Sequence, residues 1–305
     1  MRYIIYTWFA NYLSDRFQRV VQLPIYTEWM PVTRGAPQGG GLSPRFFNIY
    51  VKDLPKAVQS QSMQFADDLT VSEQGHDIQQ IGSSLSRTFQ DIKSYCEDRE
   101  LIVNASKTQL IIFKVPAKKI PADFQVILDN CVIKPASSVK LLGVILDKHL
   151  TFGEHIDSTV KKCHGILGSL THASAFLSRD LLRLAYTALV RSRLEYCSAI
   201  FASASCSQLR KLDIVQKIAS RIICGAARNT HSAPLLEALN LESLDKRRTD
   251  PIMESIISEN CHPALLNMFT VLQNGDVSTD QQARIGIGKR RFSVFAPGKY
   301  NCSMI

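Results

Sequence analysis

The chain has 305 residues, 45% hydrophobic and 21% charged, and a net charge of +9. That is long enough for two domains with sizeable cores, and the composition is that of an ordinary soluble globular protein. The eight cysteines include no C-x-x-C pair and no zinc-like spacing, so buried thiols in a reducing compartment, nucleus or cytoplasm, are expected rather than a disulfide framework.

Met1–Ala10 offers a basic residue and an apolar, aromatic run, but it lacks a cleavage site and turns polar at Asn11. It reads as an amphipathic helix rather than a leader. No apolar run approaches the ~18 residues of a membrane span, so no membrane partner is expected. Two short strands, 17–22 and 28–33, flank the turn Leu23-Pro24. Gly35 to Pro44 is a glycine-rich loop whose backbone can take unusual dihedrals. Ser43 as N-cap and Pro44 in the first turn predict a helix that runs to about Leu54.

Next comes Met63-Gln64-Phe65-Ala66-Asp67-Asp68-Leu69-Thr70-Val71. Aspartate is a poor strand residue and a good turn residue, so the pair belongs at a hairpin tip. Two carboxylates there are either solvated charge or half of a divalent-cation site, since hard cations take oxygen ligands.

Ile78, Ile81, Leu85, Phe89, Ile92 and Tyr95 lie at helical spacing and predict a long helix over 77–100. A turn at 103–108 leads to a strand over 109–114, and 124–128, 131–134 and 139–146 are further short strands. The fold class is therefore α+β, with a first domain over 1–150. From 151 to 270 helical periodicity dominates and predicts an all-α domain. Residues 271–305, with Lys289-Arg290-Arg291, are expected to form a loosely ordered basic tail.

Residues 161–228 contain eleven Lys/Arg and three acids, 11 − 3 = +8, nearly the whole excess charge. A polyanionic partner, most simply nucleic acid, accounts for this better than chance surface charge. Arg210, Lys217 and Arg221 fall on one side of a helix whose other side is Leu212, Val215, Ile218, Ala219 and Ile222. Gly225 is placed to break that helix before Arg228.

Gly35-Ala36-Pro37-Gln38-Gly39, Leu42-Ser43-Pro44, Phe47-Asn48-Ile49-Tyr50, Asp53-Leu54-Pro55, Phe65-Ala66-Asp67-Asp68, Ser106-Lys107-Thr108 and Leu142-Gly143-Val144-Ile145-Leu146-Asp147 occur in this order. Together they resemble the later palm motifs of reverse transcriptases from non-LTR, jockey-like retrotransposons. Val215-Gln216, Ala219-Ser220-Arg221, His231, Pro234-Leu235 and Phe292-Ser293 resemble the region that follows the polymerase.

The resemblance implies a partial palm, an antiparallel sheet with helices, followed by a helical thumb. It implies two-metal nucleotidyl transfer with Mg²⁺, or Mn²⁺ as an alternative. Asp67 and Asp68 would be metal ligands and, with Lys107, the catalytic set. Pro37, Gln38, Gly39, Phe65 and Ala66 would bind template and nucleotide. Lys161, Lys162, Arg210, Lys217 and Arg221 would hold an RNA template and DNA primer. The hairpin near Leu142–Asp147 would be the primer grip.

Gly41 departs from the family, standing where a branched apolar residue is usual. The first catalytic aspartate of the family is expected upstream of Met1, so the chain reads as N-terminally truncated and inactive alone unless a second chain supplies that strand. Two other readings stand beside it: a non-catalytic nucleic-acid-binding protein using the basic helices of 161–228, and a decayed product that folds poorly.

Overall fold

The computed structural model describes residues 2–37, 39–114 and 119–248, together with the backbone of three strands beyond them. Helix α1 (Arg2–Leu13) packs by one aromatic stripe. Trp8 stacks on Tyr12 at 5.4 Å, and Phe9 meets Phe46 of α2 (Ser43–Tyr50) edge-on at 5.2 Å. Tyr3, Ile4 and Tyr6 stay exposed.

The two strands expected at 17–33 are four two-residue strands. β1 (Phe17–Gln18) pairs with β4 (Met30–Pro31), and β2 (Val21–Gln22) with β3 (Ile25–Tyr26). The break has a local cause: the Val20 N–H donates to the Thr27 hydroxyl (2.9 Å) instead of to a ladder carbonyl. Helix α2 is also shorter than predicted, ending at Tyr50, with a separate 3-10 turn at Leu54–Lys56.

The first core forms around α3 (Ile78–Glu97), capped by the Asp77 carboxylate accepting from Gln79 N (2.8 Å). Its predicted apolar stripe is buried throughout, with Leu85 fully inside. The stripe covers a five-stranded sheet of order β10-β7-β15-β6-β5. These strands are β5 (Gln61–Phe65), β6 (Asp68–Gly75), β7 (Leu110–Phe113), β10 (Pro135–Ala136) and β15 (Tyr300–Met304). β8 (Val126–Leu128) and β9 (Cys131–Ile133) form a hairpin that packs against α3.

The sheet corrects two expectations. It is not wholly antiparallel, because β10 runs parallel to β7. The C-terminal stretch is not all-α or without regular structure either: β13 (Phe269–Val271) pairs with β14 (Val277–Thr279), and β15 lies inside the sheet. The remaining residues of the expected basic tail, Lys289-Arg290-Arg291 among them, lie outside the described residues.

β11 (Ser138–Leu141) and β12 (Val144–Asp147) form a hairpin whose two turn residues both have positive φ, Leu142 at 45° and Gly143 at 89°. Glycine adopts this freely and leucine does not. The hairpin leans on the second core, where the Tyr196 hydroxyl donates to Leu142 O (2.6 Å) and Ile145 N donates to His155 Nδ1 (3.3 Å).

That core joins α4 (Gly153–Ala173), α5 (Arg179–Ala185), one wide π turn at Tyr186–Arg191, α6 (Ser192–Glu195), α7 (Cys206–Cys224) and α8 (Ser232–Ala238). Ile156, Leu167, Tyr186, Leu194, Leu212 and Val215 fill it. α7 ends at Gly225 (φ +63°), where Ala226 N returns to Arg221 O (2.9 Å), as the sequence predicts for a glycine stop. Among the described residues no helix is long and apolar enough to cross a membrane.

Asp147 joins the two parts. Burial alone would raise its carboxyl, but hydrogen bonds from Phe152 N (2.7 Å), His149 N (3.0 Å) and the Thr151 hydroxyl (3.0 Å) hold it below the ordinary carboxylate range. A carboxyl depressed in the folded state contributes stability above its unfolded value of about 3.9, and that stability is lost as pH falls through the folded value. The urea midpoint of the native chain should therefore drop below about pH 4. Asp147→Asn should be less stable at neutral pH and should show a flatter acid limb.

Candidate functional site

The Asp67-Asp68 hairpin is held from both sides. Phe65 and Asp68 pair across its end, leaving the two-residue turn Ala66-Asp67. Ala66 takes φ +54°, and the Gln64 side-chain amide donates to its carbonyl (3.0 Å). Thr70 and Val71 then sink into the core, Val71 at 1% exposure. The tip therefore stands on a fixed strand rather than on a loop. Both carboxylates are exposed, and neither is hydrogen-bonded or ion-paired to the described residues. A further acid, Glu73 on β6, is spent internally: it accepts from the hydroxyls of Ser60 and Ser84.

Sheet register brings Lys107 to the same end. Val71 of β6 and Leu110 of β7 both face Met304 of the strand between them. Both β6 and β7 run antiparallel to that strand, so they are parallel to each other. Three residues back from Val71 is Asp68, and three back from Leu110 is Lys107, in the 3-10 turn Ala105–Lys107. The two positions are therefore level, two strand spacings apart, roughly 10 Å between backbones. Lys107 is exposed, and its N–H donates to the Asn104 side chain (3.3 Å), which fixes the turn.

The Gly35–Pro44 loop is tied to the first helix. The Arg16 guanidinium donates to Gly35 O (2.5 Å), and Gly39 takes φ +79°. Ser43 does not cap α2 as predicted: its hydroxyl donates to Pro37 O, closing the loop on itself, and Leu42 occupies the cap position without a side-chain bond. Gln38 lies outside the described residues. Arg16 and Arg34 line a hollow with Gly35, Ala36 and Pro37, a basic lining that the loop motif did not reveal. Its only signal was an arginine directly before Gly35.

Of the basic residues singled out, Lys161, Lys162, Arg210 and Lys217 are exposed on α4 and α7, which pack together. Arg221 is the exception. It is half-buried and donates to Thr230 O (3.0 Å) and Lys217 O (3.3 Å), so it fastens the segment after α7 instead of facing outward. Helical spacing identified its side of the helix but not these carbonyl partners.

Among the described residues no three His, Cys, Asp or Glu side chains come together as a metal cluster. Two free carboxylates on one turn still have the donor chemistry of a hard cation, which fills its other positions with water and phosphate oxygens.

Residues 3–146 match the reverse transcriptase (RNA-dependent DNA polymerase) family. The chain is 24% identical over 251 residues to a probable RNA-directed DNA polymerase from transposon BS of Drosophila melanogaster, covering 78% of this chain and 27% of that protein. It is 22% identical over 272 residues to the RNA-directed DNA polymerase from mobile element jockey of the same fly, covering 85% and 29%. The jockey protein of Drosophila funebris is 25% identical over 209 residues, covering 64% and 22%. The chain thus spans less than a third of the length of these curated relatives. No solved structure matches.

The loop geometry separates two neighbouring glycines. A Cβ at Gly40 would lie 2.6 Å from the Tyr12 hydroxyl, on a ring already stacked against Trp8, while Gly41 has nothing within 4 Å. Gly40→Ala should cost about 1–3 kcal/mol through overpacking. Gly41→Ala should be neutral or stabilise by about 0.4–1 kcal/mol. Urea denaturation of the two variants checks the pair.

Proposed function

We propose that this relative of the non-LTR retrotransposon reverse transcriptases forms part of an RNA-directed DNA polymerase, with its nucleotidyl-transfer site at the sheet end that carries Asp67, Asp68 and Lys107. The observation that carries this reading is the register: two unpartnered carboxylates and one exposed lysine stand level at one end of the same sheet. In this reading the five-stranded sheet with α3 is the palm, and the helices from Gly153 to Ala238 serve as the thumb.

Asp67 and Asp68 would hold Mg²⁺ or Mn²⁺. A cation held there would neutralise charge on the nucleoside triphosphate and on the attacking hydroxyl. In this reading the Lys107 ammonium would meet triphosphate oxygens from the other side and offer them a proton. Phe65 and Ala66, at the base of the tip, and Pro37, Gln38 and Gly39, in the loop before α2, would contact template and nucleotide. The Leu142-Gly143 turn, braced by Tyr196, would meet the primer. RNA template and DNA primer would lie along Lys161, Lys162, Arg210 and Lys217, through phosphate contacts that carry no sequence information.

Two carboxylates are one fewer than the family's site uses, and a third would come from a further strand, in this polypeptide or a second one. Residues 1–305 alone are therefore proposed to bind primer–template without extending it. On a poly(rA) template with an oligo(dT) primer and Mg²⁺, the chain should give no more product than its Asp67→Ala variant. Extension that depends on Asp67 would overturn the proposed inactivity.

Those four exposed basic residues also support a second reading, a nucleic-acid-binding protein without catalysis. Affinity for the hybrid should survive Asp67→Ala and fall steeply with salt. Replacing Lys161, Lys162, Arg210 and Lys217 together by Ala should flatten the log–log salt slope by up to about 0.9 for each lost phosphate contact. An unchanged slope would remove these residues from the interface.

A further inference from the structure

All five cations before Lys52 are arginines, set against two acids. Eleven of the chain's 25 aromatic residues lie in the first fifty positions, both tryptophans among them. Arginine is planar and weakly hydrated, so it stacks on rings and forks to phosphate as lysine does not. The structure gathers part of this set on the ribbon formed by β1 to β4. Every residue from Phe17 to Pro31 is exposed, so the ribbon packs no face into either core.

The break between its two ladders places Arg19 beside two rings. The guanidinium lies 5.0 Å from the centre of the Tyr26 ring and 4.7 Å from that of Trp29. Such contacts hold ring and cation together. The rings nevertheless remain 52% and 60% exposed. The guanidinium has no hydrogen-bond or ion-pair partner among the described residues. Open aromatic faces and free N–H donors are thus presented side by side.

This group adjoins the hollow before α2. Gln18, in the lining of that hollow, pairs with Met30, the residue after Trp29. Arg16 and Arg34 line the same hollow. Arg34 is paired with Glu100 (3.1 Å), but Arg16 spends its donors on the carbonyl oxygens of Leu13 and Gly35, which leave its charge in place. A polyanion with flat apolar groups meets this combination, its phosphates at Arg16 and Arg19 and its bases on the rings. In a duplex the base faces are already stacked on one another, so an unpaired strand is the form that offers them. An apolar protein segment would cover the rings but desolvate Arg19 without a partner.

We propose that Arg19, Tyr26 and Trp29 form a stacking site for an unpaired nucleic-acid strand, which passes from there into the hollow beside Gly35. The site reads no sequence, because every base has an aromatic face. It rests on nucleic acid as the partner, as proposed above, and not on catalysis.

Fluorescence anisotropy of the full chain with labelled oligo(rA), oligo(dA) and a blunt rA·dT hybrid tests the site. Tyr26→Ala together with Trp29→Ala should weaken single-strand binding by about ten-fold or more and leave the hybrid unchanged. Whichever single strand loses more identifies RNA or DNA as the source. The loss should persist as salt rises, since stacking releases no counterions. Arg19→Lys keeps the charge but not the planar stack, and should weaken the single strands as well. In a Trp8→Phe chain Trp29 is the one remaining tryptophan, and its emission should be quenched by the single strands but not by the hybrid. Hybrid binding that survives replacement of the four helix cations would defeat that surface alone and leave this site standing. Unchanged single-strand affinity in the chain lacking both rings would overturn the proposal, as would Trp29 emission that ignores oligo(rA) and oligo(dA). Self-association of the native chain that loss of the two rings abolishes would assign them to protein contact, and would overturn it too.

Discussion

The parallel alignment of β6 and β7, one strand apart, is the constraint from which the rest of the first core follows. α3 enforces it by packing Ile81, Leu85 and Phe89 over the sheet while it carries the chain from the end of β6 back towards the start of β7. The N-terminal ends of both strands therefore lie at one edge. Whatever precedes them, the Ala66-Asp67 turn on one side and the Ala105–Lys107 turn on the other, is delivered to that edge as well. The same alignment leaves the gap that β15 fills. The position of the carboxylates and the need for a central strand thus have one cause.

The second core supports this arrangement mechanically. Asp147 ends β12 and gathers the loop 149–152 that leads into α4 with three hydrogen bonds, so the hairpin and the helix share one fixed joint. Tyr196 holds the strained Leu142-Gly143 turn from the helical side. A non-glycine residue kept at positive φ costs energy, and surrounding contacts must hold it there. The turn and the exposed lysines of α4 thus belong to one rigid unit. Nucleic acid held along the helices would be positioned relative to the turn.

The sequence carried the local features well. The Asp-Asp tip was legible because apolar strand residues flank two poor strand formers, and the α3 stripe because its six apolar positions keep helical spacing. Gly225 could be placed as a stop by its chemistry alone. What escaped were choices between partners. Ser43 has the chemistry of a cap, yet its hydroxyl donates to Pro37 O. Arg221 lies on the basic line of α7 but spends its guanidinium on two carbonyls. The break between β1 and β2 depends on Thr27, seven residues from the N–H that it accepts. The insertion of Tyr300–Met304 depends on pairing between segments more than 180 residues apart, which no local pattern encodes.

The central claim is the proposal that the sheet end carrying Asp67 and Asp68 holds a cation, with Lys107 approaching it. Paramagnetic relaxation by Mn²⁺, read from the backbone amide resonances of the full chain, tests it most directly. Amides of residues 66–69 should broaden first and those of 105–108 next, since the two turns are level across one strand, and Asp67→Asn should abolish both effects. Broadening that begins elsewhere, or that spares 105–108 while affecting 66–69, would contradict this account of the site.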